Sequence, residues 1–269
     1  MYSKHTLKNG IRVVLVPRKD TETITLEVGV RVGSRYEPLK INGVSHYAEH
    51  LMFKGTKKHP TTLDISKALD SVGAEYNAFT SKDQTGYYVK TDRSNLILAL
   101  DILSDMLINS KFDPTEMERE KKVIVEEINM YEDNPAMYVD DIFEQLIYKG
   151  NSLGWQISGT RKSLTGIPRE DFLKFVEEHY RGEKMVVCVA GNIPENALQL
   201  VEKYLSPING DLKNVLPESS QDFGFKKFTT TQKKPQVTIK YKDTEQVQLA
   251  LGVPTYSDFD PKNYALTLM

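Results

Sequence analysis

Two histidines and a glutamate stand close together in the stretch Gly43-Val-Ser-His-Tyr-Ala-Glu-His-Leu-Met52. If this stretch is helical, His46 and His50 lie four residues apart and project from one face, the spacing two imidazoles need to share one tetrahedral zinc. Glu49, between them, can accept a proton from a water that the metal has made acidic near neutral pH. The order His-x-x-Glu-His reverses that of His-Glu-x-x-His and reads as a hydrolytic motif. The plainer alternative is a helix carrying two His and a Glu on a solvated face. With five His in the chain, such a triplet arises by chance in roughly one sequence in a hundred.

Two imidazoles leave a catalytic zinc one protein ligand short, because open sites use three plus a water. The best source is the helix predicted after Asp113, where Arg119-Glu-Lys-Lys-Val-Ile-Val-Glu-Glu-Ile-Asn-Met130 carries Glu120 and Glu127. Being seven apart, these share one helix face, and Glu126 is turned about 100° from Glu127. Acids on a polar helix are ordinarily just solvated, so spacing alone leaves the third ligand open. His59, in Lys57-Lys-His-Pro60, and His5 read as surface residues, and His179 as a packing or capping residue at a helix end.

The elements that must hold these residues follow from periodicity. Residues 11–16 and 24–32 are β-branched runs bounded by Asn9-Gly10 and Gly33-Ser34, hence two strands. Helices are predicted over 44–52 and 63–72, the second ending at Gly73, followed by a strand pair at 75–80 and 85–91 and a helix over 95–108. Asp113-Pro114-Thr115-Glu116 supplies an N-cap, a proline at the first helical position and an acid, opening a long helix to about Tyr131. Helices over 136–146, from Pro168 to Tyr180 and over 195–204, with a buried strand at 185–190, complete an α+β layering.

The 269 residues, 39% hydrophobic and 27% charged, suffice for a sizeable core. A net charge of -2, from 35 basic and 37 acidic side chains, offers no field for a phosphate backbone, so nucleic acid is excluded as a main partner. No stretch approaches the roughly 20 apolar residues needed to cross a bilayer. The first residues read as a strand rather than a leader, giving a cytoplasmic expectation with no membrane partner. The single Cys188 forms no intrachain disulfide or thiolate cluster, so any metal falls to His and carboxylates.

Residues 207–235 are rich in Pro, Gly, Ser, Lys and Thr and read as a linker. Beyond it, the segment from Leu249 to Pro261 lies over that from Leu26 to Pro38 without a gap, with Leu, Gly, Val, Ser and Pro matching. The expected organisation is therefore a zinc-binding catalytic domain at 1–206, a linker at 207–235 and the start of a second homologous domain at 236–269, truncated at Met269.

His46-Tyr-Ala-Glu-His50 followed by Leu51-Met-Phe-Lys-Gly-Thr56 resembles the zinc helix of the pitrilysin/insulinase metallopeptidases, which include the mitochondrial processing peptidases. The likeness covers nearly the whole chain, includes residues 75–80, 154–160 and His179-Tyr180, and is nearest to bacterial processing-peptidase-like members. It implies a third ligand about 77 residues after the second His, which falls on Glu127, and makes Glu120 an acid that steadies the ligands from behind. It implies Zn2+ as cofactor and a fold in which each half is a mainly antiparallel sheet with helices on one side, two halves closing like a clam shell. The strand of Asn77 and Ala78 would be an exposed edge to which a substrate peptide adds as an extra strand. The implied activity is that of a zinc metalloendopeptidase on unstructured peptides, with Glu49 as general base and then proton donor. In the family, Arg and Tyr side chains of the second half bind the substrate backbone and the oxyanion, and their positions would fall past Met269. The alternative is thus a non-catalytic or incomplete peptide-binding half, completed by the second half, a second copy of the chain or a partner subunit.

Overall fold

Six strands and nine helices are present among the residues described by the computed structural model, which are 1–216, 228–230, 232–243, 245–257 and 260–268. The middle of the expected linker, 217–227 and 231, lies outside the described residues, as do positions 244, 258, 259 and 269 of the expected second domain.

The strands are β1 (Ser3–Thr6), β2 (Arg12–Pro17), β3 (Thr23–Val30), β4 (Glu75–Thr80), β5 (Thr85–Asp92) and β6 (Met185–Gly191), in the order β1-β2-β6-β3-β5-β4. Only the β2–β6 pair is parallel; the others are antiparallel. In β3, Ile24, Leu26, Val28 and Val30 are buried, while Thr25, Glu27 and Gly29 between them are half exposed. That period of two is the mark of a sheet covered on one face only. The sheet is therefore a mixed, mainly antiparallel layer backed by helices, the α+β fold that the sequence predicts.

The helices are α1 (Val44–Met52), α2 (Thr62–Asp70), α3 (Leu96–Asn109), α4 (Pro114–Asp133), α5 (Pro135–Ile147), α6 (Arg161–Thr165), α7 (Arg169–His179), α8 (Ala197–Leu205) and α9 (Asn263–Thr267). The predicted helix at 63–72 starts one residue earlier, because Thr61 and Asp64 form a reciprocal capping box, and stops before Gly73, which turns left-handed at φ +63°. Asp113 caps α4 as expected, accepting from the Thr115 and Glu116 amides at 2.9 and 3.2 Å. The strand read at the chain's first residues is bounded at 11–16, so β1 is an additional strand before it, and helix α6 has no counterpart in the sequence reading. Ser-Lys-His-Thr has no apolar alternation, and five residues cannot show a helical period.

After β6 no strand forms among the described residues. Val237, Ile239, Tyr241, Val247, Leu249, Leu251 and Val253 alternate in strand fashion yet are from 68% to 95% exposed. This segment touches α4 and α5 instead: Lys242 Nζ binds Asp133 at 2.7 Å, and Gly252 lies against the Phe143 ring. Among the described residues no helix is long and apolar enough to cross a membrane.

His179 packs on Phe175 with ring centroids 4.4 Å apart, as the sequence suggests. Burial, aided by Lys184 and Arg31, holds its imidazole down to about 4. The unfolded chain then takes up this proton first as pH falls from about 6.5 to about 4, so the folded state loses stability through that window. Replacing His179 by Gln is expected to flatten the slope of unfolding free energy against pH between 4 and 6.5 in urea titrations. An unaltered slope would show that the imidazole titrates freely.

Candidate metal centre

Helix α1 begins at Gly43, whose φ of +99° suits glycine and whose missing Cβ would sit 2.5 Å from the Ser158 carbonyl oxygen. Val44, Tyr47, Ala48, Leu51 and Met52 are buried, which leaves His46, Glu49 and His50 facing the remaining side. That side meets α4. The Tyr47 hydroxyl donates to the Met117 carbonyl at 2.7 Å, and on the same face of α4 Glu120 and Glu127 follow at helical intervals.

The result is a convergence of three side chains. His46 Nε2 and His50 Nε2 stand 3.2 Å apart, and Glu127 Oε2 lies 3.8 Å from the first and 3.6 Å from the second. Among the described residues this is the one group of three or more His, Cys, Asp and Glu placed to share an ion. Zinc bonds of about 2.0–2.1 Å at tetrahedral angles put ligand atoms roughly 3.3 Å apart, so the observed triangle needs only small contractions. His50 Nδ1 lies 2.8 Å from Glu120 Oε1. A proton held there leaves Nε2 as a bare acceptor facing a carboxylate. Burial, then the neighbouring His50, holds the His46 imidazole down to about 3, so this ring is neutral near pH 7. One proton between the imidazoles satisfies one acceptor; a cation in the middle satisfies all three.

Two further carboxylates differ in surroundings. Glu120, 3% exposed, also binds Lys54 Nζ at 2.7 Å. Burial pushes its carboxyl up, but the bonds from His50 and Lys54 outweigh this and hold it below its ordinary range. Glu49 has one donor on Oε2, the Thr80 hydroxyl at 2.5 Å, and burial prevails, raising its carboxyl. Asn77 and Ala78 lie on β4, which among the described residues pairs only with β5 and so forms the sheet edge. The Ala78 amide is held locally by Asn77 Oδ1 at 2.9 Å.

The structure thus gathers His46, Glu49, His50, Glu120 and Glu127 at one place, with Asn77 and Ala78 on the strand that delivers Thr80. Sequence reasoning missed Thr80, Lys54 and Tyr47. For Thr80 a signal existed: it has the same parity as Ala78 on a strand that was itself foreseen. Lys54 lies just past the end of α1, where helical spacing gives no signal.

A donor set of two imidazoles and a carboxylate, with a further acid beside it, is of the kind that metal-dependent hydrolases use. Comparison with known proteins agrees. The model of the insulinase family, peptidase family M16, matches residues 12–161, and that of the peptidase M16 inactive domain matches residues 166–269. The chain belongs to the insulinase family, M16. It is 35% identical over 252 residues to the uncharacterised zinc protease YmxG of Bacillus subtilis, covering 94% of this chain and 59% of that protein. It is 36% identical over 214 residues to the mitochondrial-processing peptidase subunit beta of Dictyostelium discoideum, covering 77% and 45%. Among solved structures, a protease from Helicobacter pylori superposes with a TM-score of 0.75 at 28% identity, over 78% of this chain and 51% of that one. The chain spans less than three-fifths of the length of these relatives.

Thr80→Val keeps the shape of the side chain but removes the hydroxyl that donates to the Glu49 carboxylate. It is expected to lower the unfolding free energy by about 1–3 kcal/mol, read from urea denaturation. A variant as stable as the parent would mean that water replaces the hydroxyl without loss.

Proposed function

We propose that this chain carries the zinc site of a metallopeptidase that hydrolyses unstructured peptides, with His46, His50 and Glu127 as ligands and Glu49 as proton acceptor. The observation that carries the reading is the convergence of the two Nε2 atoms and Glu127 Oε2 within 3.8 Å of one another, beside a raised, half-buried carboxylate. The donor set fits zinc: nitrogen and oxygen atoms only, both imidazoles placed to offer Nε2, and one backed by a carboxylate. A zinc held there would polarise the scissile carbonyl and acidify a water near neutral pH.

The chain's own residues do the rest. Glu49, anchored through Oε2 by Thr80, has its other oxygen free to take a proton from the attacking water and pass it to the leaving amine. Glu120 fixes the ring of His50. The open side of β4 accepts a peptide as an added strand, with backbone bonds that read no side chain and so suit many sequences; Asn77 releases the Ala78 amide for this. The proposed organisation remains a catalytic domain at 1–206, a linker at 207–235 and the start of a second domain at 236–269.

A second reading has its own support. The exposed alternating residues from Val237 to Val253 are suited to being covered by further structure, and one relative is by name a subunit. On this reading the chain binds zinc and peptide, and cleavage needs the second half, a second copy or a partner.

Metal analysis and cleavage of a quenched fluorescent peptide mixture test both. The parent is expected to hold about one zinc per chain, and His46→Ala, His50→Ala and Glu127→Ala to lose it. Glu49→Gln is expected to keep the metal and lose at least about 100-fold in turnover. Full turnover by Glu49→Gln would sink the mechanism. Zinc without cleavage, restored by adding a second-half domain or a partner subunit, would establish the second reading.

A further inference from the structure

Helix α1 is nine residues long, and His46 is its third residue, in the turn where backbone amides have no partner within the helix. Helix ends fray unless these amides are bound, and the N-cap here is Gly43, which has no side chain to bind them. A metal ligand in the first turn therefore needs an anchor from elsewhere.

That anchor is Glu37. Its side chain is 5% exposed. Oε2 accepts from the Gly43 amide at 2.7 Å, and Oε1 from the Ser45 amide at 2.8 Å. The Asn42 side-chain amide binds Oε2 as well, at 2.7 Å, and reaches the Gln156 carbonyl at 3.1 Å. The same corner is closed by glycines: a Cβ on Gly159 would lie 2.2 Å from the Asn42 carbonyl oxygen. One carboxylate thus caps the helix from outside and fastens it to the segment around Gln156. Burial pushes the Glu37 carboxyl up to about 7 in spite of its donors, so ionising it costs more here than in solvent.

We infer that Glu37 is a positioning residue of the metal centre: by binding the Gly43 and Ser45 amides it fixes the first turn of α1 and with it the place of His46 Nε2. This rests on the zinc reading above. Glu37 touches neither metal nor substrate and acts only through the helix.

The test measures zinc affinity of the full chain by competition with a chromophoric chelator, and the visible absorption of the cobalt-substituted protein. Glu37→Gln keeps the shape but turns a donor toward the helix amides. It is expected to weaken zinc binding about 10-fold or more and to alter the cobalt bands. Asn42→Ala leaves both backbone bonds but frees the carboxylate on one side; a smaller loss in the same direction is expected, and this variant carries the test if Glu37→Gln does not fold. Leu205→Ala, in α8, is the control, expected to lower the urea midpoint while keeping parental zinc affinity. Parental affinity and unchanged cobalt bands in the folded Glu37 or Asn42 variant would overturn the inference. So would an equal loss in the control, which would trace the effect to general stability. A parent chain that binds no zinc would instead remove the zinc reading itself, and the inference with it.

Discussion

The site depends on the seam where α1 crosses α4. Tyr47 fixes the approach of the two helices through its bond to the Met117 carbonyl, and His50 and Lys54 tie the next turn through Glu120. Met117, Glu120, Ile124 and Glu127 follow at steps of three and four, so one face of α4 supplies a backbone acceptor, a buried acid, a core residue and an open carboxylate in turn. Given the first contacts, helical geometry leaves Glu127 little choice but to face the imidazoles. Three lone-pair donors are thereby held 3.2 to 3.8 Å apart, an arrangement close to the separations that a tetrahedral ion requires of its ligands. Packing on both helices keeps it in place.

The same seam separates two carboxylates by environment. Glu120 is the more enclosed residue, yet a lysine and an imidazole hold it ionised, and an ionised acid is what His50 needs behind it to keep its proton on Nδ1. Glu49 receives one neutral hydroxyl, which leaves desolvation in command and raises its carboxyl. Two acids about one imidazole are thus driven apart in proton affinity, the pattern by which a site divides an orienting role from a proton-transfer role.

How far this was legible in the sequence varies with the range of the interaction. His46, Glu49 and His50 lie on one helical turn and could be read directly. Asp113-Pro114 announced α4, and the edge strand at 75–80 was foreseen with its boundaries intact. Choosing Glu127 over Glu120 as the open acid was beyond local spacing, since both share a face; family likeness made that choice, and the structure separates them through Lys54, which closes Glu120 off. Thr80 and Glu37 are the harder cases. Their partners are 31 and up to 8 residues away, across a turn and a loop, and neither residue type in its own sequence neighbourhood signals that a helix end or a carboxylate will arrive beside it.

Chain order and spatial order also part company. Strand β6 comes almost 100 residues after β5, yet it inserts between β2 and β3, parallel to one and antiparallel to the other. The sheet that carries β4 at its edge is therefore complete only when the chain has returned past Gly191. The later apolar alternation from Val237 to Val253 pairs with neither open edge, β1 or β4, among the described residues, and its apolar side chains stay exposed. A strand is defined by its neighbours rather than by its own residues. Where the neighbours are absent, a strand-like pattern stays unpaired and exposed, as here among the described residues beside α5.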